Sequence, residues 1–401
     1  MSEPRKIGAF LIPLGVIAAV GIAAWLVSFV AFDKPAWGIF VANFIFFTSI
    51  TQGVLGLAII LRYTSAKWSA NFFRLATTTA VAFFPIALVM LVVLFALKDS
   101  VFFWAAEPVH NPWFNPYFFI GRNAVIFLAF YAVARMLHNY GAEEYESSRI
   151  EAIATSEDGG HSSDRGRLLR LGFVFLVLFV AEQTMLAWDF GMIINRHWAD
   201  SMFAPLFGIT SVYGGAAAIV LLMSFARYFL KSINFRDEHF RNMGQLILGL
   251  SIFWVYAWYI QFFSIWFANL PEEFEPIYHR IFGGYMGSYV SYVVLMGVFP
   301  FFALIFKKVR ESVIGVTIVS GAVLIGAWLE RYVMTVPALV HEETTVSLPI
   351  VHPINILFTL GMFSLFLLMT LNEVRRRREI LPETEEELAK EALIADPVGW
   401  Q

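Results

Sequence analysis

Two carboxylates, Glu182 and Asp189, stand seven residues apart inside one long apolar run. Seven residues is about two helical turns, so both fall on nearly the same helix face, with Asp189 closer to one end. Ionisable groups at membrane depth are costly and are functional candidates by default. A mid-depth carboxyl such as Glu182 must be protonated or hydrogen-bonded to be tolerated, and either condition suits a proton relay. Arg122 and the adjacent Glu330 and Arg331, followed by Tyr332, are the other charges buried in apolar runs. Glu182, Asp189, Arg122, Glu330 and Arg331 together make a candidate proton path. A second set lies on a run from Leu246 to Ala268 whose aromatics occupy its middle, among them Trp258, Tyr259 and the polar Gln261. Interfacial belts place aromatics at the ends of a span, so this helix is expected to face other protein or a flat ligand. Plainer readings stay open beside these. An arginine and a carboxylate on neighbouring helices also lock a bundle by neutralising each other, Asp189 close to an interface is simply hydrated, and an aromatic stripe is also ordinary packing.

Helices must hold these groups. The chain has 401 residues, 59% of them hydrophobic and only 15% charged, too little polar surface to cover a soluble globule of this size. Windows of about 19 residues predict spans at Gly8 to Phe32, Trp37 to Leu61, Phe72 to Leu97, Tyr117 to Leu137, Leu168 to Ile194, Met202 to Leu230, Met243 to Ala268, Tyr285 to Phe306, Val313 to Pro337 and Ile350 to Leu371. The expected fold is all-α, integral to a membrane, with ten transmembrane helices. Lys and Arg crowd one set of connections, including Arg62, Lys67, Arg74, Arg165, Arg167, Arg227, Lys307, Lys308 and the run from Arg375 to Arg378. The opposite set holds Lys34, Lys98, Arg196 and Arg280. That bias places both termini in the cytoplasm. Residues 1–378 form the predicted membrane domain, interrupted by a polar connector from Asn139 to Arg167. Residues 379–401 form a cytoplasmic tail in which Thr384 to Glu387 is a capping-box pattern opening a short helix.

Composition also excludes classes. Zero cysteines remove disulfides, Cys-ligated zinc and Cys-ligated iron–sulfur clusters. All eight histidines fall in loops or at predicted span ends, so no facing pair is placed to hold a haem iron, and no metal site is expected. A formal net charge of -3 argues against nucleic-acid binding. No phosphate-binding loop, HExxH or GxSxG pattern occurs, and no residue is assigned a bond-making catalytic role.

The stretches PAWGIFVANFIFFTSITQGVLGL and AKWSANFFRLA resemble the first bundle of NrfD/PsrC-type membrane subunits, the quinone-interacting anchors of multi-subunit redox enzymes. NPWFNPYFFIGRNAVIF, AWDFGMIINRHWADSMFAPLFG and GQLILGLSIFWVYAWYIQFFSIWFANLPEE resemble the F subunit (ActF) of bacterial alternative complex III, a quinol:electron-acceptor oxidoreductase. GAWLERYVMTVP is similar to that family's arginine-containing ninth helix, while Gly191 to Ile194 departs from the Met-Ser-Leu sequence common after its aspartate. The resemblance implies two four-helix bundles, spans two to five and six to nine, flanked by spans one and ten, with no covalently bound cofactor. It also implies a homologous twin subunit, an iron–sulfur subunit of molybdopterin-enzyme-like fold, c-type cytochrome subunits carrying haem c, membrane lipid and quinone, in a bacterial inner membrane.

The expected function is therefore that of a membrane subunit of a quinol-oxidising electron-transfer complex, presenting a quinol-facing or proton-conducting bundle. A quinol, menaquinol for example, needs an apolar slot, an aromatic wall and a hydrogen-bond donor and acceptor for its hydroxyls. Trp258, Tyr259, Gln261 and Asp189 are the candidate quinone-binding set. Two rivals stand beside this reading: a scaffold subunit without its own quinone site, and a free-standing proton-coupled transporter.

Overall fold

The computed structural model describes residues 3–31, 33–64, 66–106, 111–154, 161–195, 198–229, 235–282, 284–340 and 352–376. Among these residues there are helices and no strands. Ten helical segments are long and apolar enough to cross a membrane: Phe10–Ser28, Pro35–Tyr63, Ala70–Ala96, Pro116–Glu144, Gly166–Met192, Phe203–Tyr228, Asp237–Ala268, Met286–Ile305, Val313–Val340 and Pro353–Val374. They are spans one to ten below. Helices are forced on apolar segments of this length because hydrocarbon offers no partner to a free backbone N–H or C=O.

Spans two to five close into one four-helix bundle and spans six to nine into another. The first helices of the two bundles are the centre of the molecule. The apolar window of span two is 94% buried by the protein and that of span six 78%, against 17% for span one. Spans two and six cross at glycines: a Cβ on Gly53 would lie 1.9 Å from the Ser211 carbonyl oxygen, and one on Gly215 would lie 2.5 Å from the Val54 nitrogen. Backbone meets backbone there, the close approach that small residues allow between membrane helices. Span nine then lies along span two, where Thr335 Oγ1 donates to the Gly38 carbonyl at 3.2 Å and Trp328 Nε1 to Asn43 Oδ1 at 3.3 Å.

Spans one and ten flank the bundles as a pair. Gly21 and Gly361 bring their backbones together, since a Cβ on Gly21 would sit 2.6 Å from the Gly361 Cα. Trp25 stacks between Phe40 and Phe358, with ring centroids 4.5 and 5.4 Å away.

The connector predicted from Asn139 to Arg167 is helical through Ala154 and again from His161, and its centre, 155–160, lies outside the described residues. Its polar residues are good helix formers that lie beyond the apolar window, and a hydropathy window registers only apolar length. An ion pair of Glu144 with Arg62 of span two ties it to the bundle, and one of Glu143 with Arg167 joins its two ends. Asn269 ends span seven in the left-handed region at φ 51°, and the LPEE segment leads into a twelve-residue helix, Pro271–Phe282. The predicted tail helix and the rest of 379–401 lie outside the described residues.

The crossing yields a direct test. Gly53→Ala puts a methyl group into the span-six backbone and is expected to cost about 3 kcal/mol, the upper end for overpacking a core. Gly249→Ala on span seven, with nothing within 4 Å of its added carbon, is the control. Thermal unfolding in detergent with both variants at wild-type stability would remove the crossing as the organising contact.

Candidate functional site

The first polar cluster joins spans four and five. Span five ends in a π-helical turn, Trp188–Met192, that carries Asp189. Such single π turns re-aim a side chain within an otherwise regular helix. Asp189 is fully buried and receives Arg122 in a two-pronged contact, Nε to Oδ2 at 2.8 Å and Nη2 to Oδ1 at 2.7 Å. Asn123 Nδ2 donates to the same Oδ2 at 2.6 Å. The third guanidinium nitrogen donates to the Trp113 carbonyl at 2.7 Å, and the Trp113 ring lies 4.0 Å from the Arg122 carbon. Each of the three guanidinium nitrogens has an acceptor, and two of them grip the carboxylate in the geometry of a strong planar ion pair.

Deeper in the same bundle, Glu182 is buried at 2% exposure and accepts one hydrogen bond, from Gln52 Nε2 of span two at 3.3 Å. Gln52 in turn accepts from Gln183 at 2.6 Å. The buried Tyr131 hydroxyl lies beside Glu182, Thr51 and Gln52. Glu182 is therefore held loosely where Asp189 is held tightly.

The second bundle repeats the arrangement of a carboxylate on its last helix bonded to a side chain of its first. Glu330 Oε1 accepts from Thr210 at 3.2 Å, and Thr210 accepts from Trp254 Nε1 of span seven at 2.9 Å. Arg331 is 1% exposed. It contacts Glu330 at 3.4 Å, donates to the Phe207 carbonyl at 3.1 Å and lies 3.6 Å from the centre of the Phe207 ring. A cavity of about 30 Å³ opens beside this group, with Gln261, Arg280, Tyr292, Glu330 and Arg331 as its polar walls. Arg280 comes from the surface helix Pro271–Phe282 and stacks on Trp198 at 4.4 Å. Burial pulls its guanidinium below the usual arginine value, and the neighbouring Tyr292, Tyr289, Asp200 and Glu330 hold it up.

The structure divides the proposed quinone-binding set. Asp189 belongs to the first bundle with Arg122 and Asn123. Gln261 lines the second-bundle cavity and donates to Asp200 Oδ2, and Trp258 Nε1 donates to Tyr292 at 3.3 Å. Tyr259 is 53% exposed on the outward face of span seven. Two residues along a helix is about 200°, so Tyr259 and Gln261 point to opposite sides and cannot line one slot. The outward face of that span is aromatic from Tyr256 to Phe267.

Sequence reading also passed over Gln52, Gln183, Asn123, Thr210, Asp200 and Tyr292. The two glutamines carried a usable signal, an amide inside an apolar span. Arg280 and Asp200 carried little, because they sit in connections and reach the bundle only through tertiary folding.

A model of the polysulphide reductase NrfD family matches residues 13–341, from span one through span nine. No curated protein matches the chain.

Removing one side of the Arg122–Asp189 pair strands a buried charge. Arg122→Gln is expected to destabilise the protein by about 3–5 kcal/mol, with Arg122→Gln/Asp189→Asn recovering a large part of the loss. A double-mutant cycle read by thermal unfolding checks this; additive losses would mean that the two side chains do not depend on each other.

Proposed function

The chain belongs to the polysulphide reductase NrfD family, and on that premise we propose that it is the proton-conducting membrane subunit of a quinol-oxidising complex of the alternative complex III type. Members of this family are typically membrane subunits of quinol-linked electron-transfer complexes and partner with iron–sulfur molybdoenzyme subunits. The observation that carries the reading is the buried carboxylate on the last helix of each bundle, Glu182 and Glu330, each hydrogen-bonded to the first helix of its own bundle. A carboxyl at that depth with one neutral donor and no bidentate arginine, Glu330 having Arg331 besides at 3.4 Å, is free to take and release a proton, which the clamped Asp189 is not. Asp189 and Arg122 then serve as the fixed charge pair at the outer end of the first path, and Arg331 as the counter-charge of the second.

The second-bundle cavity, about 30 Å³, falls roughly tenfold short of the ~300 Å³ at which small-molecule pockets begin. Trp258 and Gln261 therefore belong to the proton side of the work, and quinol is met at a surface shared with another subunit. The partners are a homologous twin subunit, an iron–sulfur subunit of molybdopterin-enzyme-like fold and c-type cytochromes, with haem c and iron–sulfur clusters held by those subunits. The basic connections face the cytoplasm of a bacterial inner membrane.

A pure scaffold is favoured by one observation, the fully satisfied Arg122–Asp189 lock, which needs no proton chemistry to explain it. The transporter reading has less support. Gly214 and Gly215 lie inside an unbroken span six, and Gly284, at φ 87°, precedes span eight instead of interrupting it.

Glu182→Gln decides between relay and scaffold. In the purified complex it is expected to lower quinol-driven turnover and coupled proton release at least about tenfold, the scale of a lost proton-transfer group, while subunit composition and unfolding midpoint stay unchanged. Wild-type turnover in the assembled variant would leave the scaffold reading standing.

A further inference from the structure

The cavity beneath the surface helix has five polar walls, Gln261, Arg280, Tyr292, Glu330 and Arg331. Two of its donors are unspent: Arg280 Nη2 and Arg331 Nε are buried with no hydrogen-bond partner among the described residues. Charge around it is matched. Glu330 and Asp200 both act on Arg280, and Glu330 faces Arg331 at 3.4 Å, so a neutral acceptor is all that the two free N–H groups call for. The space is about 30 Å³, room for roughly two water molecules with the two to four polar partners each that buried water needs. Water that accepts from the guanidinium groups turns its own protons toward the remaining walls.

Those walls differ in what they can do with a proton. Arginine carries donors only and is not deprotonated in proteins. Gln261 has an amide, which does not titrate, and spends one N–H on Asp200. A phenol has one O–H to give and two acceptor positions. Trp258 Nε1 fills one acceptor position of Tyr292 at 3.3 Å, which leaves this hydroxyl one way in and one way out for a proton. Tyr289 packs edge-on against Tyr292, with ring centroids 5.0 Å apart. It stands one turn nearer the start of span eight, on the side of the surface helix, and is half-buried, with Met286 and Gly287 beyond it exposed.

We propose that two waters in this cavity and the Tyr292 hydroxyl relay protons between Glu330 and the membrane surface on which the Pro271–Phe282 helix lies. In one transfer the Glu330 O–H bond breaks and its proton joins a water oxygen. A proton of the water chain passes to the free acceptor position of Tyr292, whose own proton leaves toward Tyr289 and bulk water. Glu330 ends as a carboxylate, bulk water has gained one proton, and nothing is oxidised or reduced. The route rests on the reading of Glu330 as a proton carrier and supplies the exit from that carboxyl.

The test is infrared spectroscopy of the assembled complex, wild type and Tyr292→Phe. The carboxyl stretch of protonated Glu330 is the band that Glu330→Gln removes, and the rate of its shift on transfer to D2O measures exchange of that proton with bulk water. Tyr292→Phe keeps the ring and deletes the hydroxyl. It should slow exchange at Glu330 at least about tenfold, the scale of a lost proton-transfer group, and leave exchange at Glu182 in the other bundle unchanged. A hydroxyl with a merely structural role gives the opposite sign, because looser packing admits water and speeds exchange. A map that resolves bound water should place two molecules within reach of Arg280 Nη2 and Arg331 Nε. An unchanged or faster rate in Tyr292→Phe, or a dry cavity in such a map, would overturn the relay and leave Glu330 standing as a proton carrier. Lack of a protonated Glu330 band at every pH at which the complex stays assembled would overturn the carrier reading and the relay with it.

Discussion

Everything in this molecule is arranged around the contact of span two with span six at Gly53 and Gly215. Without side chains at the crossing, the two helices approach until a carbonyl of one lies against the backbone of the other. Close approach of this kind supplies the dispersion contacts that replace the hydrophobic effect between helices in hydrocarbon, where lipid tails are as apolar as leucine. Because each of these helices is the first of its bundle, their contact sets the two bundles side by side with spans five and nine also facing inward. Gln52, next to Gly53, and Thr210, next to the Ser211 that Gly53 meets, thereby reach the carboxylates of spans five and nine in the most protected part of the fold.

That protection sets the terms for the charges. A carboxylate placed there must find donors, and the two bundles give different answers. Asp189 is met by an arginine fork and an asparagine and becomes a fixed element of structure. Glu182 and Glu330 are each met by one neutral donor, Glu330 also by Arg331 at 3.4 Å, and it is on this looser setting that the proposed proton-conducting role rests. The π turns follow the same logic. The turn at Trp188–Met192 aims Asp189, while the one at Val294–Val298 releases the Met296 carbonyl, which accepts from the buried Tyr213 hydroxyl at 2.9 Å. A break in the regular backbone pattern is tolerated at these depths because protein groups satisfy what it frees.

The end of the second bundle that holds Arg331 is built differently from the end of the first that holds Asp189. In the first, Trp113 and Arg122 close over Asp189 from within the span and its leading turn. In the second, a separate amphipathic helix brings Arg280 across the top. Span seven turns Trp254, Trp258 and Gln261 toward this region and leaves Tyr256, Tyr259, Phe263 and Phe267 facing away from the chain. One helix therefore serves two surroundings, a polar interior and an aromatic exterior, and the 3.6-residue period alone separates them.

The sequence by itself determined the class of the protein, the ten spans and the small set of charges that must be buried. Apolar length, the position of Lys and Arg, and the rarity of ionisable residues in such segments are local properties, written in the order of residues. It also held the helical period that separates Tyr259 from Gln261. Only the tertiary structure decided which charges are locked and which are loose. Whether Asp189 meets an arginine fork, whether Glu182 meets only an amide, and whether Arg280 from a surface helix joins Arg331 across a cavity all depend on contacts between helices far apart in sequence. Hydrogen-bond partners across a bundle are fixed by how backbones approach, and here that approach is set by two glycines whose importance lies in what they lack.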